Sequence, residues 1–210
     1  GGDPSHLIMK SPTQETIEVS FKGKAVHAGV EPEKGANAIY AVAKSAADFP
    51  QGRLDEDTTA NLGTISGGTA TNIVADKAEY KAEVRGHNLS KLEATVQLIK
   101  QKAEQAAVDT KTQVDVKQST SFEGFWLNKD ESVVKIAIEA LKECGIEPAF
   151  TASGGGSDAN IFNQNGIRML TLPMGAQKAH SNEEFIDIKD FEKAAQLAVK
   201  LVEVASAGQA

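Results

Sequence analysis

Residues Glu15–Lys24, ETIEVSFKGK, decide how this chain is read. Ile17, Val19 and Phe21 alternate with polar residues, the period of two that sets one face of a strand against a core and leaves the other in water. After it comes the loop KAVHAGVEPEKG, which carries His27 between Val26 and Ala28-Gly29. From Ala36 to Ala47, Ile39, Val42, Ala43 and Ala46 recur at helical spacing, and Phe49-Pro50 ends the run. Thr58–Ser66 reads as a second strand, broken by Gly67-Gly68-Thr69, and Asn72–Arg85 as a third. Asn88 or Ser90 caps a long helix through Val108, with Leu92, Val96, Ile99 and Ala103 on its inner face. Lys111–Thr120, KTQVDVKQST, alternates again as a fourth strand. The order strand, helix, strand, strand, helix, strand is the split βαβ arrangement of ferredoxin-like domains, an antiparallel sheet with both helices on one face. That arrangement hosts many unrelated functions, so function has to be read from sites.

On either side the pattern changes. His6–Met9 is a short strand candidate stopped by Ser11-Pro12, and Phe122–Asn128 (FEGFWLN) is an aromatic crossover pinned to a neighbouring core. Helix Glu131–Cys144, strand Pro148–Thr151, a glycine turn with helix Ala159–Asn163, strand Ile167–Leu172 and helix Ile188–Ala205 then alternate. Such alternation is the grammar of an α/β layer with a parallel sheet. Two or three strands do not close such a layer, so this part is an incomplete α/β segment. The expected fold class is α+β joined to α/β. In the turn SGGGSDAN, Gly154, Gly155 and Gly156 are expected to take φ > 0 and to bring backbone N–H groups close to a ligand. Ser157 or Asp158 caps the helix behind it, and a helix N-terminus there favours a carboxylate, a phosphate or an oxyanion. His180 lies in a polar loop beyond the last strand, a position suited to a metal ligand, with a solvated histidine as the plain alternative.

Composition narrows the classes. The 210 residues carry a net charge of −7, which argues against nucleic acid as the main partner. No apolar run approaches the roughly 20 residues of a membrane span, and the start has no signal-peptide pattern. The lone cysteine, Cys144, excludes an internal disulfide framework and fits a reducing, cytoplasmic setting. The opening GGDP reads as if cut from a longer chain.

Four features coincide in order: His27 in VHAG, Asn72 in TATNIVAD with Arg85 in AEVRGHN, the turn SGGGSDAN, and His180 before a long final helix. Together they resemble the dinuclear-zinc exopeptidase and deacylase clan that includes peptidase T, aminoacylase and succinyl-diaminopimelate desuccinylase. The peptidase T-like branch resembles this chain most, over essentially its whole length. The resemblance implies that residues 1–14 end an N-terminal catalytic segment, 15–120 form a lid and dimerisation domain, and 121–210 form the C-terminal part of the catalytic domain. It implies that His180 is a zinc ligand and that His27 stabilises the tetrahedral intermediate in the other subunit of a homodimer. Asn72 and Arg85 then hold the substrate and its carboxylate, while Gly155, Gly156 and Ser157 line the pocket. Two zinc ions are implied, with their other ligands outside this chain, and the chain alone is expected to be inactive. Asp3 is left out of the ligand set, because the family's remaining acidic ligand is expected at or before Gly1. Glu183-Glu184 follows the final histidine and so is not the family's catalytic acidic pair. Gly154 stands where peptidase T has an arginine, which puts tripeptide specificity in question.

The expected function is hydrolysis of an amide bond in small peptides by a cytoplasmic aminopeptidase, or in N-acyl amino acids by a related deacylase. The competing readings are a non-catalytic dimerisation module and a small-acid binding protein using the glycine turn with Arg85.

Overall fold

The computed structural model describes residues 2–208. In chain order the strands and helices of the first half are β1 (His6–Ser11), β2 (Thr13–Lys22), α1 (Ala38–Ala47), β3 (Gly52–Arg53), β4 (Thr58–Gly67), β5 (Lys77–Gly86) and α2 (Leu89–Thr110). Those of the second half are β6 (Gln113–Phe122), β7 (Phe125–Trp126), α3 (Ser132–Glu143), β8 (Ala149–Ala152), α4 (Asp158–Gln164) and α5 (Ile188–Ala207). They form two compact units, one from Thr13 to Phe122 and one made by the chain up to Pro12 and from Glu123 onward.

The Thr13–Phe122 unit is a five-stranded sheet in the order β3-β4-β5-β2-β6, with every pair antiparallel. Without the two-residue strand β3 this is the ferredoxin-like order. Ile17, Val19 and Phe21 are fully buried, and they share one core with Ala38, Ala41 and Val42 of α1 and Leu92, Val96 and Ile99 of α2. Both helices therefore lie on the same face. The other face is polar, with Lys81 Nζ 2.8 Å from Glu18 Oε1, so the strands alternate as one-sided strands should. Asn88 caps α2 by accepting the N–H groups of Ser90 and Lys91 at 3.0 and 3.2 Å, and Lys111 ends the helix at φ 55°. The third strand starts at Lys77 rather than at Asn72. Residues 74–76 bond instead to the loop beyond β2 and to the start of α1: Val74 N–H to Val26 O at 3.0 Å, Gly23 N–H to Asp76 O at 2.8 Å, and Ala38 N–H to Ala75 O at 2.8 Å.

The other unit has a three-stranded sheet, β7-β1-β8, in which β1 runs parallel to β8 and antiparallel to β7. Leu7, Phe125, Leu127, Val134, Leu141 and Leu197 form its core. Residues 167–172 do not form the buried strand expected of them. Ile167 is 57 % exposed, and one bridge, Ile8 to Thr171, is their link to β1. Side chains occupy the groups a ladder would use: Asn163 Nδ2 donates to Met169 O at 2.8 Å, and Arg168 turns to Trp126 O at 3.0 Å and to Glu131.

The Arg168 fork meets both carboxylate oxygens of Glu131, at 2.6 and 2.7 Å, and Asn128 donates its N–H there at 2.8 Å. These bonds hold the Glu131 carboxyl below its ordinary 4.5, with Arg168 the larger cause. A lowered folded-state value means that the stabilisation is complete above the ordinary value and disappears as pH falls through the lowered one. Arg168→Met should therefore show its largest stability deficit near neutral pH and a shrinking one in acid. Urea unfolding of both proteins across that range checks this; a deficit independent of pH would mean that the pair contributes by packing alone. No helix among the described residues is long and apolar enough to cross a membrane.

Candidate functional site

The loop after β2 is held against residues 70–74, and this pairing places His27 beside Asn72. Ala28 donates its N–H to Asn72 O at 2.9 Å, and His27 bridges Ile73. Both side chains are exposed. Gly29 donates its N–H to His27 Nδ1 at 3.1 Å. An Nδ1 that accepts leaves the proton of a neutral imidazole on Nε2, so His27 offers a hydrogen-bond donor to whatever it faces.

Arg85 lies at the opposite end of the sheet. β5 runs from Lys77, next to the His27 loop, to Gly86, which pairs with Thr13 where the chain enters this unit. Eight strand residues at about 3.4 Å each separate Lys77 from Arg85 by about 27 Å. Arg85 forms a two-bond fork with Glu83, at 2.9 and 3.1 Å, which is the surface ion pair that competes with a substrate role. The fold thus brings His27 and Asn72 together and keeps Arg85 apart from them.

In the other unit the glycine turn is built without left-handed backbone. Positive φ occurs at Gly2, Gly52, Gly68, Gly145, Gly166 and Gly175 and not at Gly154, Gly155 or Gly156. A Cβ on Gly154 would meet nothing within 4 Å, so this glycine leaves open space rather than permitting a strained turn. Serines brace the turn instead: Ser153 Oγ donates to Gly155 O at 2.9 Å and accepts Gly155 N–H at 3.0 Å. Ser157, not Asp158, is the N-cap of α4, and Asn160 Oδ1 accepts its N–H at 3.0 Å. Gly155, Gly156 and Ser157 line a cavity of about 250 Å³ together with Ser11, Ser153 and Thr171.

His180 is exposed on a loop closed by two bonds between Gln177 and Phe185, at 2.8 and 3.2 Å. Lys178 and His180 both have positive φ, 52° and 66°. Positive φ is uncommon for side-chain-bearing residues, histidine being among those that adopt it more readily. His180 N–H donates to Glu184 Oε2 at 3.3 Å. Among the described residues no three His, Cys, Asp or Glu side chains gather as a metal cluster. A zinc site needs at least three protein ligands, so these residues do not build one, although His180 is free in geometry to supply a single ligand. Asp3 Oδ1 is taken by Ser5 N–H at 2.8 Å, which lowers its carboxyl. Cys144 is half-buried at the C-cap of α3. The residue that sequence reasoning missed is Asn160, 1 % exposed beneath the turn.

A peptidase dimerisation domain model of the M20 family matches residues 15–111, and the M42 glutamyl aminopeptidase model matches residues 93–197. An uncharacterised Bacillus subtilis protein, YqjE, is 38% identical over 205 residues, covering 98% of this chain and 55% of its own length. The crystal structure of aminopeptidase PepT from Bacillus cereus superposes with a TM-score of 0.82 at 37% identity, over 98% of this chain and 55% of that one. That of a tripeptidase from Staphylococcus aureus gives 0.87 at 34% identity, over 97% and 54%. The chain belongs to the M20 peptidase family, on its peptidase T-like branch. It spans about half the length of the curated relatives it matches.

Proposed function

We propose that the protein is part of a zinc-dependent exopeptidase of the peptidase T type, which removes residues from small peptides and works as a homodimer. The observation that carries this reading is the setting of His27: an exposed imidazole whose Nδ1 accepts Gly29 N–H, which directs Nε2–H outward as the donor. A donor poised on a loop is what a developing oxyanion needs. Zinc, when bound, supplies Lewis acidity and a water of lowered pKa. The work of this chain is to bind and orient. Asn72, held next to His27, offers a carboxamide to the substrate backbone. Arg85 exchanges Glu83 for the substrate carboxylate, and its planar fork suits either partner. Gly155, Gly156 and Ser157 wall the pocket, and His180 contributes one ligand to a centre completed by residues outside this chain.

The experiment for this reading compares a peptide with its C-terminally amidated form on the full-length protein. Arg85→Lys replaces a fork by a point charge and should slow the free-acid peptide by about tenfold or more, since hydrogen bonds to charged groups contribute about 1.5–3 kcal/mol. The amidated peptide should be slow on the wild type and lose little more on the variant. Equal losses on both substrates would make Arg85 a structural partner of Glu83.

Dimerisation is supported by an unfinished sheet edge. β3 covers β4 only at Thr59 and Ala60, and Gln51 Oε1 takes Leu62 N–H at 2.9 Å. From Gly63 to Gly67 that edge has no ladder partner among the described residues. Ile65, paired with buried Tyr80 and so on the helix-bearing face, is 56 % exposed, and α1 adds Ile39 and Tyr40 at 45 % and 63 %. An open edge beside apolar side chains suits a second copy of the same strand. Ile65→Lys should raise the dimer dissociation constant at least tenfold in sedimentation velocity, and an unchanged constant would move the interface elsewhere.

A further inference from the structure

We infer that Asn160 is the positioning residue of the glycine turn, tying it to the two places where the chain passes between its units. Its meaning for catalysis rests on the turn being a pocket wall; the coupling itself does not. A carboxamide has two N–H donors and an oxygen with two lone pairs, and at Asn160 all four are engaged. Oδ1 accepts the Ser157 N–H at 3.0 Å and the Ser11 hydroxyl at 3.1 Å. Nδ2 donates to Glu123 O at 2.7 Å and reaches Pro12 O at 3.5 Å, so Glu123 is the stronger tether. Pro12 and Glu123 are the residues flanking the two crossings.

The oxygen end of one buried side chain thus holds the turn, and the nitrogen end holds both crossings. Ser11 has a single hydroxyl proton, shared between Asn160 Oδ1 and Gly155 O, each at 3.1 Å. Gly155 O is also the acceptor for Ser153 Oγ, so a shift of the carboxamide reaches the turn through Ser11 and Ser157 together. Asn160 is 1 % exposed, and water is not at hand to replace a lost partner. A displacement of the Glu123 carbonyl therefore drags the carboxamide, and the carboxamide drags the turn. The pocket wall reports the path of the crossings.

Two variants of the 210-residue chain pull on opposite ends. Asn160→Asp keeps an oxygen for Ser157 and Ser11 but sets a second oxygen against Glu123 O. Ser11→Ala removes a bond on the turn side and none to Glu123. Amide exchange and carbonyl carbon shifts are read by NMR, with the amides of α3 as the reference for folding. In Asn160→Asp, repulsion from Glu123 O should draw the side chain off the turn, so that the Ser157 amide exchanges about tenfold faster, the equivalent of one net hydrogen bond, while α3 keeps its rates. In Ser11→Ala, the Glu123 carbonyl carbon should shift. An unmoved Glu123 carbonyl, or a Ser157 amide at its wild-type rate in a folded Asn160→Asp, would show the two ends to be independent and overturn the inference. Should Asn160→Asp lose α3 protection, Ser11→Ala alone decides. Neither readout involves hydrolysis, so failure here is separable from failure of the pocket reading.

Discussion

His180→Ala in the full-length protein is expected to lower zinc affinity by more than about a hundredfold, beyond the 10–100-fold that follows loss of an outer-shell partner. Elemental analysis after gel filtration should find the variant short of zinc, and peptide hydrolysis should fall with the metal content. The expectation rests on the loop. Its closure by Gln177 and Phe185 and the left-handed backbone at Lys178 and His180 set one exposed imidazole on a shaped tip. Replacing His180 by asparagine, which tolerates the same φ, separates the two contributions: shape is kept and the ligand is lost. If both variants retain full zinc, His180 is not a ligand and the loop serves another purpose.

The elements that were legible in the sequence are those whose environment is one-sided. Ile17, Val19 and Phe21 face a core and the residues between them face water, so period two survives in the letters. Leu92, Val96 and Ile99 do the same for α2 at helical spacing. Residues 167–172 have the composition of a strand, but composition carries no information about Arg168 reaching Glu131, 37 residues away, or Asn163 taking Met169 O. β3 and β7 are two residues each, below any periodic window. The three consecutive glycines suggested left-handed backbone, yet none of them adopts it, and Gly154 faces open space.

For the site residues the limit is different. The sequence marks His27 as a loop histidine, but the bond that decides its chemistry, from Gly29 N–H to Nδ1, depends on loop shape. Asn160 was invisible because its partners Pro12 and Glu123 lie 148 and 37 residues away. An asparagine in the first turn of a helix reads as ordinary capping chemistry. Burial of all four hydrogen-bonding positions is a property of tertiary structure alone.

His27→Ala is expected to lower the rate of the full-length protein by about a hundred- to a thousandfold while leaving its zinc in place, the usual effect of removing one oxyanion donor. If the Thr13–Phe122 unit acts as the proposed lid, its geometry favours a donor that works in the other subunit. A tripeptide spans at most about 11 Å, whereas Arg85 and the His27 end of the same sheet are about 27 Å apart along β5. The difference exceeds what an arginine and a histidine reach together, so one substrate held by Arg85 cannot also meet His27 of the same lid. On the proposed reading, the two ends would serve different sites of the dimer. Mixing His27→Ala with His180→Ala then gives a sharp outcome. A mixed dimer has one site with its zinc ligand intact that receives His27 from the other subunit, and one site that has neither. Random exchange makes about half the dimers mixed, and each has one working site of two, so roughly a quarter of wild-type activity should return from two inactive proteins. Full subunit exchange without recovered activity would place His27 in its own chain's site or outside catalysis altogether.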